Sequence, residues 1–174
     1  EKPMRKNRKK YIGFILLFLV GLSILLYPTV SNLWNKYRDS QLISKYSSSV
    51  SSDNNSEKLQ EMWKAAEEYN KQIKQESVPD AFSVRDGQTD PVYESLLNLN
   101  GDSMMGYVEI PVIGESIPIY HYTTEESLEK GAGHLFGSSL PVGGPDTHCI
   151  ISAHRGLPSA KLFTDLNLVK EGDV

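Results

Sequence analysis

The sequence holds a single cysteine, Cys149, among 174 residues. That excludes an internal disulfide framework and a cluster of thiolate metal ligands. Its four histidines, His121, His134, His148 and His154, lack the spacing of a zinc site, and nothing else marks a metal or a cofactor. Glycine gathers between residues 131 and 144, but no Gly-Lys-Ser/Thr follows, so the stretch is not a phosphate loop. Positive charge is scarce beyond the start. Residues 1–10 carry six of the eighteen basic residues and one acid; the other 164 carry twelve basic and twenty-one acidic residues. With a net of −9 over that body no basic face is left, and nucleic acid is excluded as a partner.

What is present first is an apolar run. Residues 11–27, YIGFILLFLVGLSILLY, carry no charge, and Pro28, Thr29 and Val30 extend them toward the ~20 residues that span a bilayer. The basic residues directly before the run place 1–10 in the cytoplasm by the positive-inside tendency. The residues after it are too bulky for a signal-peptidase site, so the run reads as an uncleaved signal anchor. Everything past residue 30 is then expected outside the cytoplasm, on a single-pass membrane protein. A chain that begins at Glu1 and stops in a turn at Val174 reads as a piece of a longer one.

Beyond the membrane run, residues 31–46 predict a helix, with Trp34 and Tyr37 at headgroup level. The serine-rich stretch 47–56 predicts a loop. Asn54 and Glu57 resemble a capping box opening a second helix, whose stripe of Leu59, Met62, Trp63, Ala66, Tyr69 and Ile73 is a packing face and which ends before Pro79. Asp86-Gly87 and Asp90-Pro91 are turn chemistry before a short helix over 92–98. From Gly106 the period changes to two. Tyr107 to Ile110 and Ile117 to Tyr120 predict strands joined by a tight turn at Gly114, with Pro111 and Pro118 at edges or bulges. Thr124 caps a short helix, 131–145 predicts a long Gly/Pro loop, and 147–154 the next strand. Strands without βαβ alternation predict a mostly antiparallel sheet or barrel.

Chemistry centres on His154, at the mouth of that last strand with the turn Arg155-Gly156-Leu157-Pro158 behind it. Cys149 is not its nucleophile by strand geometry: the two point to opposite faces and lie about 17 Å apart along an extended chain. Cys149 reads instead as a small core residue. Ser152 shares the face of His154, but two residues of strand separate them by roughly 7 Å. Asp165 is the one acid shortly downstream to orient such a pair. His121, His134 and His148 lack partners at useful spacing.

Several segments resemble one family in order along the chain. Residues 152–166, SAHRGLPSAKLFTDL, resemble the histidine segment of the class C, pilus-building sortases. So do GYVEIP at 106–111, GAGHL at 131–135, SLPVGG at 139–144 and the juxtamembrane YPTVS at 27–31. The resemblance implies a mostly β fold, a sortase-type β-barrel incomplete over these residues, preceded by N-terminal helices and the anchor. It divides the chain into a cytoplasmic head (1–10), a transmembrane signal anchor (11–30), extracytoplasmic helices with a lid loop (31–100) and the first part of the catalytic barrel (101–174).

It also implies a cysteine transpeptidase. In that family a thiolate cleaves an LPxTG-type sorting signal between Thr and Gly, and the acyl group passes to a lysine amine of the next pilin. The expected partners are pilin subunits and the bilayer, on the outer face of a Gram-positive cell. By motif, His154 is the catalytic histidine. The family's cysteine, in a TLxTC segment, and its arginine have no counterpart within these 174 residues, so this stretch alone is expected to be inactive. Class C members carry an Asp-Pro-aromatic lid over the site. Asp90 and Pro91 match its first two positions, Val92 departs from the third, and Tyr93 is the nearest aromatic. Phe136 departs too, where an acid is expected. Two other functions fit less of the pattern: a housekeeping sortase that anchors proteins to the cell wall, and a non-catalytic, membrane-tethered binding protein.

Overall fold

The computed structural model describes residues 4–73 and 89–173. The expected helix end before Pro79 and the turn at Asp86 and Gly87 lie outside the described residues. Helix α1 runs unbroken over Met4–Val50, so the membrane run and the juxtamembrane helix are one 47-residue rod. It contains an 18-residue window of mean hydropathy 2.3, long and apolar enough to cross a membrane. Pro28 lies inside it and cannot donate to the carbonyl of Ile24.

The serine-rich stretch does not break the helix where its composition suggests. Ser48 and Ser49 donate their hydroxyls to the carbonyls of Ser44 and Lys45, at 2.8 and 3.1 Å, so the polar side chains are satisfied along the helix itself. The break comes at Ser51, followed by a single 3-10 turn, Asp53–Asn55. Helix α2, Ser56–Gln72, therefore starts later than a capping box at Asn54 requires. Its N-cap is Asn55, which makes no side-chain cap; its amide donates to Ser49 O at 2.9 Å. The apolar stripe of α2 faces inward as its spacing predicts, with Ala66 fully buried, although Trp63 stays 49% exposed. Asn70 fastens α2 to the domain: it accepts from Leu140 N at 2.7 Å and donates to Leu140 O at 3.2 Å.

Helix α3 is shorter than expected, Pro91–Ser95. After it come strands β1, Met104–Ile110, and β2, Glu115–His121, paired antiparallel through a tight turn that ends on Gly114 at φ 64°. This is the hairpin the alternation predicts. Pro118 lies where the pairing of β2 with β3 has not begun, so its missing N–H costs that ladder nothing. Helix α4, Glu125–Lys130, is capped by Thr124, whose Oγ1 accepts from Ser127 N.

The Gly/Pro stretch holds a strand rather than only a loop. Strand β3, Ala132–His134, pairs parallel with β2, and α4 is the crossover between them. Its glycines are steric. A Cβ on Gly131 would lie 2.5 Å from Pro118 O, and one on Gly133 would run into Tyr122 O. Strand β4 contracts to Ile151–Ala153, antiparallel to β3. The sheet order is β1-β2-β3-β4, mixed rather than wholly antiparallel, and open. About half the chain is helical, most of it in α1 and α2, so the β character belongs to residues 104 onward. Tyr93, Leu97, Met105, Ile117, Ile119, Ala132, Leu140 and Leu162 form the core between sheet and helices, with Ile151 and Ala153 packed against it.

Candidate active site

His154 is the first residue past β4. The ladder sets Ala153 opposite Ala132 and Ser152 opposite Gly133, so β3 fixes where the histidine leaves the sheet. The chain then turns and comes back. Arg155 bridges Leu162, and Phe163 N donates to His154 O at 3.1 Å, which closes the base of the loop. Gly156 takes φ 79° in open space, and its N–H donates to Thr164 Oγ1 at 3.0 Å. Leu162 adopts φ 44°, costly for a leucine, while its side chain is 4% exposed in the core. Burial on the order of 2 kcal/mol for such a side chain offsets that strain. The loop is thus pinned by an apolar anchor at one end and the sheet at the other.

The His154 side chain is half-buried, and among the described residues nothing hydrogen-bonds its ring. It is therefore free to meet a reacting group. The nearby alternatives fall away on geometry. Asp165 pairs with Lys161 at 3.0 Å, so it does not orient His154 for Ser152. Burial pushes the Cys149 thiol up to about 11, so it is a protonated thiol at neutral pH, not a nucleophilic thiolate.

The lid candidates are held tightly. Asp90 is the N-cap of α3, where its Oδ1 accepts from Val92 N at 2.9 Å and Tyr93 N at 3.2 Å. Pro91 is at the first helical position, which suits its fixed φ. Val92 is 62% exposed, while Tyr93 is fully buried. The ring of Tyr93 packs against Tyr69, His121, Tyr122, His134 and Phe136, with centroids 4.9 to 6.3 Å away. Phe136, the departure from the family pattern, is one wall of this aromatic nest.

The nest also explains two histidines for which spacing shows no partner. His134 is fully buried. Its Nε2 donates to Ser139 O at 2.9 Å, which leaves Nδ1 to accept from the Tyr93 hydroxyl at 2.8 Å. His121 bridges loops, with Nε2 2.8 Å from Leu96 O and Nδ1 3.0 Å from Ser103 O. His134 and its tyrosine are 41 residues apart, so no local motif shows them.

Burial holds the pKa of His134 down to about 4, against an ordinary 6.5. Between those values the unfolded ring is protonated and the folded one is not, so stability is complete above pH 6.5 and falls as pH drops toward 4. About 2 kcal/mol is expected to be lost by pH 5. Thermal melts from pH 7 to pH 5 check this; a flat profile contradicts it.

Comparison with known proteins adds a family. The sortase-domain family model matches residues 108–174. Among solved structures, the chain is similar to sortase C of Streptococcus pneumoniae at 38% identity and TM-score 0.63, over 76% of this chain and 65% of that one. It is similar to sortase C1 of Streptococcus agalactiae at 40% identity and TM-score 0.61, over 76% of this chain and 67% of that one. Sortase C-1 of Actinomyces oris matches at 39% identity and TM-score 0.59, over 68% of this chain and 66% of that one. The chain thus spans about two thirds of the length of these relatives. No curated protein matches it.

Proposed function

Because this chain belongs to the sortase family, beside its class C members, we propose that it is part of a pilin-joining cysteine transpeptidase held in the membrane by α1. The observation that carries this reading is His154: half-exposed at the end of β4, unpaired by any described group, in a turn fastened on both sides. The pneumococcal relative is described with reference to pilin substrate specificity, and a pilin substrate is the one proposed here.

In this reading a thiolate attacks the threonine carbonyl of an LPxTG-type signal. The Thr–Gly C–N bond breaks, a thioester forms, and His154 gives its proton to the departing glycine amine. A neutral pilin lysine amine then attacks the thioester, an isopeptide bond forms, the thiolate leaves, and the proton lost by the amine returns to the His154 imidazole. Cys149, part-buried and protonated, is not that sulfur; the role falls to a cysteine outside these 174 residues. The basic residues ahead of the span set the topology, with the N-terminus in the cytoplasm and the catalytic domain outside. The test is the full polypeptide in detergent micelles, given an LPxTG-type peptide and a lysine-bearing pilin. The expected product is an isopeptide-linked peptide–pilin conjugate, identified by mass. Intact peptide after long incubation contradicts the proposal.

Asp90, Pro91, Val92 and Tyr93 enter as the lid, with Tyr93 as its root in the core and Val92 as the exposed member. Asp90→Ala is expected to cost about 1 kcal/mol through the lost cap. It is also expected to raise peptide turnover by loosening the cover. Unchanged turnover in the substituted protein would show that these residues cover nothing.

A further inference from the structure

The tip of the histidine loop is held by the juxtamembrane part of α1. Asn35 Nδ2 donates to Ser159 O at 2.8 Å, and Lys161 N donates to Asn32 Oδ1 at 2.9 Å. These contacts join positions 124 and 129 residues apart in sequence. Asn32 and Asn35 are three apart on one helix face, with Lys36 and Asp39 beside them. The same length of helix is bound elsewhere by Lys36, which donates to Gly114 O at 2.7 Å, and by Tyr46, which donates to Met105 O at 2.9 Å. The helix is therefore a fixed reference for the domain, and the two asparagines tie the loop to it.

We propose that Asn32 and Asn35 are positioning residues for His154. The inference rests on the catalytic role proposed for His154. The base of the loop is closed at His154 O and Phe163 N. Its far end, at residues 156–161, has Gly156 in open space and exposed residues at 156, 158 and 161. Ala160 and Leu157 pack the middle of the loop into the core, while the two amides tie it to α1 by hydrogen bonds, so the tilt of the loop against the helix, and with it the direction of the imidazole, depends on them. Asn32 stands two residues beyond Val30, about 3 Å of helical rise past the apolar run. The clamp therefore also fixes the height of the histidine above the span. The two amides work in opposite senses, one accepting and one donating, so they are not interchangeable.

That polarity supplies the test, in the full polypeptide with peptide and amine acceptor. Asn35→Asp replaces the donor by a carboxylate facing a carbonyl, and is expected to lower kcat about tenfold or more with KM within about twofold. Asn32→Ala is expected to lower kcat similarly, and Asn32→Asp, which keeps the acceptor oxygen, to restore it. A role in stability alone predicts that asymmetry in the melting temperature but none in kcat per folded protein. Equal kcat for N35D and N32D, beside an inactive H154A, overturns the clamp and leaves the catalytic histidine standing. An active H154A overturns both. Should N35D fail to insert, N35A decides: a lower kcat at constant KM supports the clamp, and wild-type kcat overturns it.

Discussion

Replacing His154 by alanine is expected to lower turnover of a sorting-signal peptide by about 10²- to 10⁴-fold, the span that a positioned acid or base contributes. The fold is expected to survive. His154 is half-buried, its ring makes no hydrogen bond among the described residues, and the loop is held by its backbone and by Leu162. The melting temperature should therefore move by only about a few degrees. Steady-state cleavage by wild type and variant, with melts of both, checks the pair of expectations. Wild-type turnover in the variant would remove His154 from the chemistry. A collapsed melting temperature would make it a structural residue instead.

The second large effect belongs to Tyr93. Truncating this fully buried ring to alanine is expected to destabilise the protein by about 3–5 kcal/mol. That is a large share of the roughly 5–15 kcal/mol by which a domain is stable. The melting temperature should fall by on the order of 10 °C. Tyr93→Phe separates the ring from the hydroxyl. The nest keeps its packing, but His134 Nδ1, which accepts at 2.8 Å, loses its donor in a buried site. A cost of about 1–3 kcal/mol is expected for that alone. Urea denaturation of both variants measures the two contributions. A neutral Y93F would mean that the hydroxyl is not the partner of His134.

The same residues show what a one-dimensional sequence exposes and what it hides. The β1–β2 hairpin is legible because alternation is local: each residue of Tyr107 to Ile110 shows its face by its neighbours. The stripe of α2 is legible for the same reason. Strand β3 is not. Gly131 and Gly133 look like turn residues, yet they are glycines because the backbones of Pro118 and Tyr122 occupy the space of a Cβ, and that contact is made only after folding. The serines at 47–49 mislead in the other direction. Composition marks them as a loop, but the hydroxyls of Ser48 and Ser49 find carbonyls one turn back, and α1 continues to Val50. A single 3-10 turn then moves the start of α2 past the apparent capping box.

At the candidate site, the histidine itself stands out, because a strand end followed by a turn is visible in sequence. The company it keeps is not. Asn32 and Asn35 read as polar helix surface, and their targets lie more than a hundred residues on. The Tyr93–His134 pair is equally remote. The family segments supply what periodicity cannot, since they mark which histidine of four is at issue.

The most direct measurement is the mass of the full polypeptide after brief exposure to a sorting-signal peptide, followed by proteolytic mapping of the adduct. The expected result is an acyl thioester on a cysteine outside these 174 residues, with the Cys149 peptide unmodified, and a smaller yield in H154A. An adduct on Cys149, or the same yield of adduct with and without the His154 imidazole, would contradict it.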